Sequence, residues 1–152
     1  GYIAGEQSLI DYLRYSLPGF MFSVGISPPL AAASLEAVRM MLEGNPRVAA
    51  LHENIKYFVE GAQRRGFDTC LAKETAIIPI MVGEDNDAYE LSTLMLEHGV
   101  FVPPAVYPAV PRHQARLRFC VISEHKKEQL DYALDTLDKL FAQKGIPKQR
   151  RE

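Results

Sequence analysis

The segment ARLRFCVI, residues 115–122, sets two guanidinium groups two positions apart in a run otherwise composed like a protein core. Side chains alternate along a strand, so Leu117, Phe119 and Val121 share one face while Arg116, Arg118, Cys120 and Ile122 share the other. Two readings of the second face are open. Arginine is mostly a surface residue, and both side chains can simply be solvated. Alternatively Arg118, with Cys120 and Ile122 beside it, lines a cleft and offers its planar fork to a ligand carboxylate or phosphate. The other reactive types form no comparable pattern. His52, His98, His113 and His125 are scattered and never take HExxH spacing, and Cys70 and Cys120 are too few and too far apart for a disulfide framework or a zinc site, so no metal is expected. The glycines of GYIAG and VGISPP match neither GxGxxG nor GxxxxGKS. The seven lysines (56, 73, 126, 127, 139, 144 and 148) lie in polar stretches, none with the surroundings of a desolvated Schiff-base amine. Ser23, Gly25 and Ser27 form a tight turn before a helix start, a place that can receive a phosphate, although turn chemistry is the commoner use of Ser beside Gly and Pro.

These residues need elements to hold them. Glu6–Tyr15 places Leu9, Ile10 and Leu13 at helical spacing, ended by Pro18-Gly19, and GYIAG before it reads as a strand and its turn. Pro28-Pro29 heads an alanine-rich helix from about Pro29 to Glu43. Asn45 can cap, and Pro46 can open, a helix whose Val48, Leu51, Ile55, Phe58, Val59 and Ala62 make an amphipathic stripe up to Gly66. AIIPIMVG is a strand in which Pro79 argues for an edge or a bulge. Asp85 and Asn86 are expected to cap a helix with Leu91, Leu94 and Met95 inward, stopped by His98-Gly99. VFVPPAV reads as a short strand, ARLRFCVI as the next, and Leu130 to Phe141 as a long helix before a polar tail. The order predicts an α+β fold, with helices on one face of a small, three- to four-stranded, mainly antiparallel sheet.

The totals agree with a globular unit: 152 residues, 47% apolar, 24% charged. A net charge of -2 gives no electrostatic argument for nucleic acid, and no apolar run approaches the ~20 residues that span a bilayer. The two cysteines read as reduced thiols, a cytoplasmic pattern. The chain opens without methionine on what reads as the middle of a strand, so it is expected to be a piece of a longer protein.

Taken together, GYIAG…LIDYLRYSLPGFMFSVGISPPLAAASLEA, IIPIMVG, GVFVPPAVYPAVPRHQARLRFCVISEH and the closing amphipathic helix resemble the C-terminal part of the α-oxoamine synthases. The most specific piece is Pro108-x-Val110-Pro111 followed by Arg116-Leu117-Arg118. The resemblance implies the small domain of a pyridoxal-phosphate enzyme of fold type I that condenses an amino acid with an acyl thioester and loses CO₂. It implies that Arg118 binds the substrate carboxylate and that the enzyme is a homodimer. It also implies that the Schiff-base lysine precedes this chain, which then holds no catalytic residue and no covalent cofactor. The turn FSVGISPP carries Val24 and Gly25 where the family often has hydroxyls, leaving Ser23 and backbone N–H groups near Gly25 to reach the cofactor phosphate of the neighbouring subunit. The family's AAHT helix entry appears here as Ser123-Glu124-His125-Lys126, without the usual capping Thr, and His125 is read as structural. The domain organisation implied is a remnant of the large domain over 1–27, an interdomain helical segment over 28–66, the small domain over 67–142 and a polar tail over 143–152. Two alternatives stand beside this one: a non-catalytic ligand-binding or dimerisation module, and the small domain of an ordinary aminotransferase.

Overall fold

The computed structural model describes residues 3–148 and divides into two compact units, Gly1–Gly44 and Asn45–Glu152. Gly1 and Tyr2, and hence the start of the strand expected at GYIAG, lie outside the described residues. Ile3 to Gly5 form no strand.

The first unit is helical: α1 (Gln7–Ser16), α2 (Pro18–Met21) and α3 (Pro28–Leu42). Pro18 ends α1 as expected, because its missing N–H cannot continue the ladder, and the same residue opens the four-residue α2 at a position where no N–H is required. None of the three helices buries a residue.

The second unit runs α4 (Pro46–Arg64), β1 (Ile77–Gly83), α5 (Asp85–Glu97), β2 (Pro104–Ala105), β3 (Ala115–Cys120) and α6 (Lys127–Lys144). Its sheet is antiparallel in the order β1-β3-β2, so the arginine strand is central. The register pairs Ile78 with Phe119 and Ile80 with Leu117 on one face, and Pro79 with Arg118 and Met81 with Arg116 on the other. The first face is buried against Ile55 and Phe58 of α4, Leu91 and Met95 of α5, and Leu134, Leu137 and Phe141 of α6. Phe58 and Phe119 stack at 5.1 Å between centroids, tying α4 to β3. The helices therefore cover one face, as the pattern predicts.

Local chemistry explains where expectation and structure agree and part. Asn45 caps α4, its Oδ1 accepting from Arg47 N at 2.9 Å. β1 is an edge strand with a bulge between Met81 and Gly83. Met81 N donates away from β3, to Asp68 O, so the donor missing at Pro79 would have pointed the same way and its loss costs β3 nothing. The strand expected over VFVPPAV shrinks to Pro104–Ala105, since two prolines leave no donors with which to extend the ladder. Asp85 and Asn86 do not cap α5. Glu84 takes the N-cap position without a side-chain bond, and Asp85 and Asp87 fill the first turn, where negative charge favours the helix dipole. The start of α6 lacks a capping Thr, and Gln129 Oε1 instead reaches back to accept from Lys126 N at 2.9 Å. Gly145, at φ 64°, closes this helix, and Ile146 N donates to Phe141 O. Beyond it Ile146 packs on the core, and Lys148 Nζ donates to Arg65 O and pairs with Asp138.

Candidate functional site

β3 presents Arg116, Arg118 and Cys120 on the face that no helix covers. Arg118 is exposed there between two prolines. Its Cα partner in β1 is Pro79, and its N–H donates to Pro103 O at 2.9 Å on the β2 side. Both neighbours have ring-fixed φ angles, which limit the backbone beneath the guanidinium. Among the described residues Arg118 is the arginine whose guanidinium meets no protein acceptor or ring. Arg14, Arg39, Arg47, Arg64 and Arg65 each lie beside a carboxylate, and Arg112 lies 4.4 Å over the Tyr107 ring.

Arg116 corrects the expectation that it is solvated. It is half-buried, with Nε donating to Gln114 O at 3.1 Å, Nη2 to Gln114 Oε1 at 3.4 Å, and Nη1 facing Cys70 Sγ at 3.9 Å. The two arginines of one face thus differ in kind: one is tied down and the other is open.

Two clamps set the strand that carries them. Before it, the loop from 106 to 114 is tied to the start of α5 by His113 Nδ1 and Glu84 Oε1 at 2.8 Å, and by Tyr107 N donating to Asp85 Oδ1 at 3.4 Å. After it, the buried Asn54 of α4 directs its Nδ2 at three carbonyls of the following turn, Ile122 O, Ser123 O and His125 O, at 3.1, 3.3 and 2.8 Å. His125 completes this turn, its Nδ1 accepting from Ile122 N at 3.2 Å, which gives the structural role expected of it. Asn54 was not singled out from the sequence. The signal available was a polar residue one step from the apolar stripe of Leu51, Ile55 and Phe58, where burial demands a hydrogen-bonding partner.

A cleft of about 540 Å³ opens beside the end of β3, lined by Phe58, Val100, Phe101, Cys120, His125 and Tyr132 among others, and Arg118 is not part of it. Ser23 and Gly25 belong to the first unit. The Ser23 hydroxyl donates to Phe20 O at 3.1 Å, and a Cβ on Gly25 would meet nothing within 4 Å. The open face of the sheet, Ile77, Pro79, Met81, Arg116, Arg118 and Cys120, carries no lysine. Among the described residues no three His, Cys, Asp or Glu side chains group as metal ligands, and no helix is long and apolar enough to cross a membrane.

The sequence model of the aminotransferase class I and II family matches residues 1–137. The chain belongs to the aminotransferase class I and II family. Within this family it is 40% identical over 146 residues to the 8-amino-7-oxononanoate synthase of Thermoanaerobacter pseudethanolicus, covering 96% of this chain and 37% of that protein. The 8-amino-7-oxononanoate synthase structure from Francisella tularensis superimposes with a TM-score of 0.74 at 23% identity, over 93% of this chain and 41% of that one. A serine palmitoyltransferase from S. paucimobilis, solved with bound PLP, does so at 0.77 and 20%, over 89% and 34%. The resemblance to α-oxoamine synthases read from the sequence is borne out in these relatives, and the fold class in these structures. The chain spans little more than a third of the length of the curated relatives it matches.

Proposed function

We propose that this chain is the C-terminal part of an α-oxoamine synthase, a homodimeric pyridoxal-phosphate enzyme that joins an amino acid to an acyl thioester with loss of CO₂, and that Arg118 binds the amino-acid carboxylate. The observation that carries the reading is the open guanidinium of Arg118 on the uncovered sheet face, held between Pro79 and Pro103. A planar fork with no internal partner is suited to a bidentate pair with a carboxylate, and such a pair fixes the orientation of the substrate as well as its affinity. When bound, pyridoxal phosphate supplies an electron sink for the bonds broken at the substrate's α-carbon. The described residues fit the substrate end of that chemistry and not the anchoring of the cofactor. The Ser23 hydroxyl is engaged in its own turn, a Cβ on Gly25 would meet open space, and the sheet face lacks a lysine. A contact from Ser23 to a neighbouring subunit's phosphate requires its hydroxyl to turn from Phe20 O, and the lysine that holds the cofactor comes from elsewhere in the enzyme.

The same reading assigns 1–27 to the large domain, 28–66 to the interdomain segment, 67–142 to the small domain and 143–152 to the tail. It is tested in the full-length enzyme. Arg118→Ala should raise the amino-acid KM by about 2–4 kcal/mol equivalent and leave the acyl-thioester KM nearly unchanged, as loss of a desolvated charge pair does. An unchanged amino-acid KM overturns it.

A further inference from the structure

The described arginines without a carboxylate at ion-pair distance, Arg112, Arg116 and Arg118, all fall between positions 112 and 118, so the unpaired guanidinium groups are gathered along this loop and strand. Glu84 and Asp85 at the start of α5 hold the preceding loop through His113 and Tyr107 N, and neither lies at ion-pair distance from these three arginines. Arg116 is the informative member. Two of its acceptors, a carbonyl and a side-chain amide oxygen, are neutral, so they fix where the guanidinium sits without neutralising it, and Nη1 faces Cys70 Sγ. The strand rise places it about 7 Å from Arg118 along the same face, inside a Debye length of about 8 Å at physiological ionic strength.

We propose that Arg116 is a positioning residue for the carboxylate site, a second, anchored cation that favours the carboxylate end of the amino acid at Arg118 and keeps the Arg118 fork turned outward by like-charge repulsion. This rests on the reading of Arg118 as the carboxylate-binding residue. It needs the charge of Arg116 and not its fork, which is already occupied by Gln114.

The test compares Arg116→Gln, Arg116→Lys and Arg118→Ala in the full-length enzyme, with thermal midpoints taken on each. Arg116→Gln should raise the amino-acid KM about three- to tenfold at low ionic strength, the scale of one unit charge at this distance, with little change in kcat. The difference should close near 1 M salt, where the screening length falls to about 3 Å. Arg116→Lys should restore the wild-type KM. Arg116→Met, which keeps the alkyl stem, serves the same comparison if the glutamine variant does not fold. A salt-independent rise in KM, or a rise that lysine does not reverse, marks a purely structural role and overturns the proposal. So does a wild-type KM in Arg116→Gln while Arg118→Ala is impaired, and in that case the reading of Arg118 survives. An unimpaired Arg118→Ala instead removes that reading itself.

Discussion

Asn54 spends one amide nitrogen on three carbonyls of the turn after β3, and that turn decides where the arginine strand ends. Replacing it with alanine leaves these part-buried acceptors facing a methyl group, and Asn54→Ala is expected to lower stability by about 1–3 kcal/mol in urea denaturation. Asn54→Asp should cost more, because a carboxylate cannot donate and would face the same oxygens; an aspartate variant as stable as wild type would show that the turn is held by something else. This clamp is also where the sequence was hardest to read. The alternation of ARLRFCV dictated which residues face the core, and the structure buries Ala115, Leu117, Phe119 and Val121 accordingly. The division of labour between Arg116 and Arg118 was not legible, because it depends on Gln114 and on Cys70, 46 positions away, meeting one of the two side chains. Partners brought together by the fold leave no local pattern.

Between elements, α4 and α6 pack closely at Gly61. A Cβ there would stand 2.9 Å from Leu134 Cδ1, and Leu134 is fully buried. Gly61→Ala should therefore destabilise by about 1–3 kcal/mol despite the better helix propensity of alanine, the usual cost of overpacking. A gain in thermal midpoint would show that Leu134 repacks freely. The same seam carries Tyr57, whose hydroxyl donates to Asp131 Oδ2 at 2.6 Å, and Arg65, which lies 2.6 Å from Asp135 and 3.6 Å from Asp131. The bond to Asp131 holds the Tyr57 phenol above its ordinary value of 10.0, with burial and the negative charge of Asp131 acting in the same direction. A proton held more tightly in the folded than in the unfolded chain stabilises below the unfolded value and ceases to as pH climbs through the raised one. The difference in thermal midpoint between wild type and Tyr57→Phe should accordingly be constant up to about pH 10 and shrink above it. A difference that grows with pH would contradict the assigned hydrogen bond. Helical spacing gave α4 and α6 from the sequence. Their contact through a glycine was hidden, because Gly61 carries no pattern that distinguishes close packing from a weak helix position.

For the molecule as a whole, the two units differ in what they can bury. Asn45–Glu152 contains every member of the core, from Ile55 to Phe141. Gly1–Gly44 exposes Tyr15, Phe22, Val24 and Leu42, each at 82% or more, and its helices bury nothing. Ordering a backbone costs about 1–2 kcal/mol per residue, and helices shorter than ~12–15 residues are marginal without tertiary packing. With 10, 4 and 15 residues and no buried face, α1, α2 and α3 have nothing of their own to offset that cost. The segment 45–152 produced alone should then melt in a single cooperative transition with its amides protected from exchange, whereas a peptide of residues 1–44 should show little helix by circular dichroism and no protection. Cooperative melting of the 1–44 peptide would mean that its apolar residues find a core among themselves. Failure of 45–152 to fold would mean that the sheet with Arg118 on its open face is stable only when that face is covered, and the site would then exist only in the assembled enzyme.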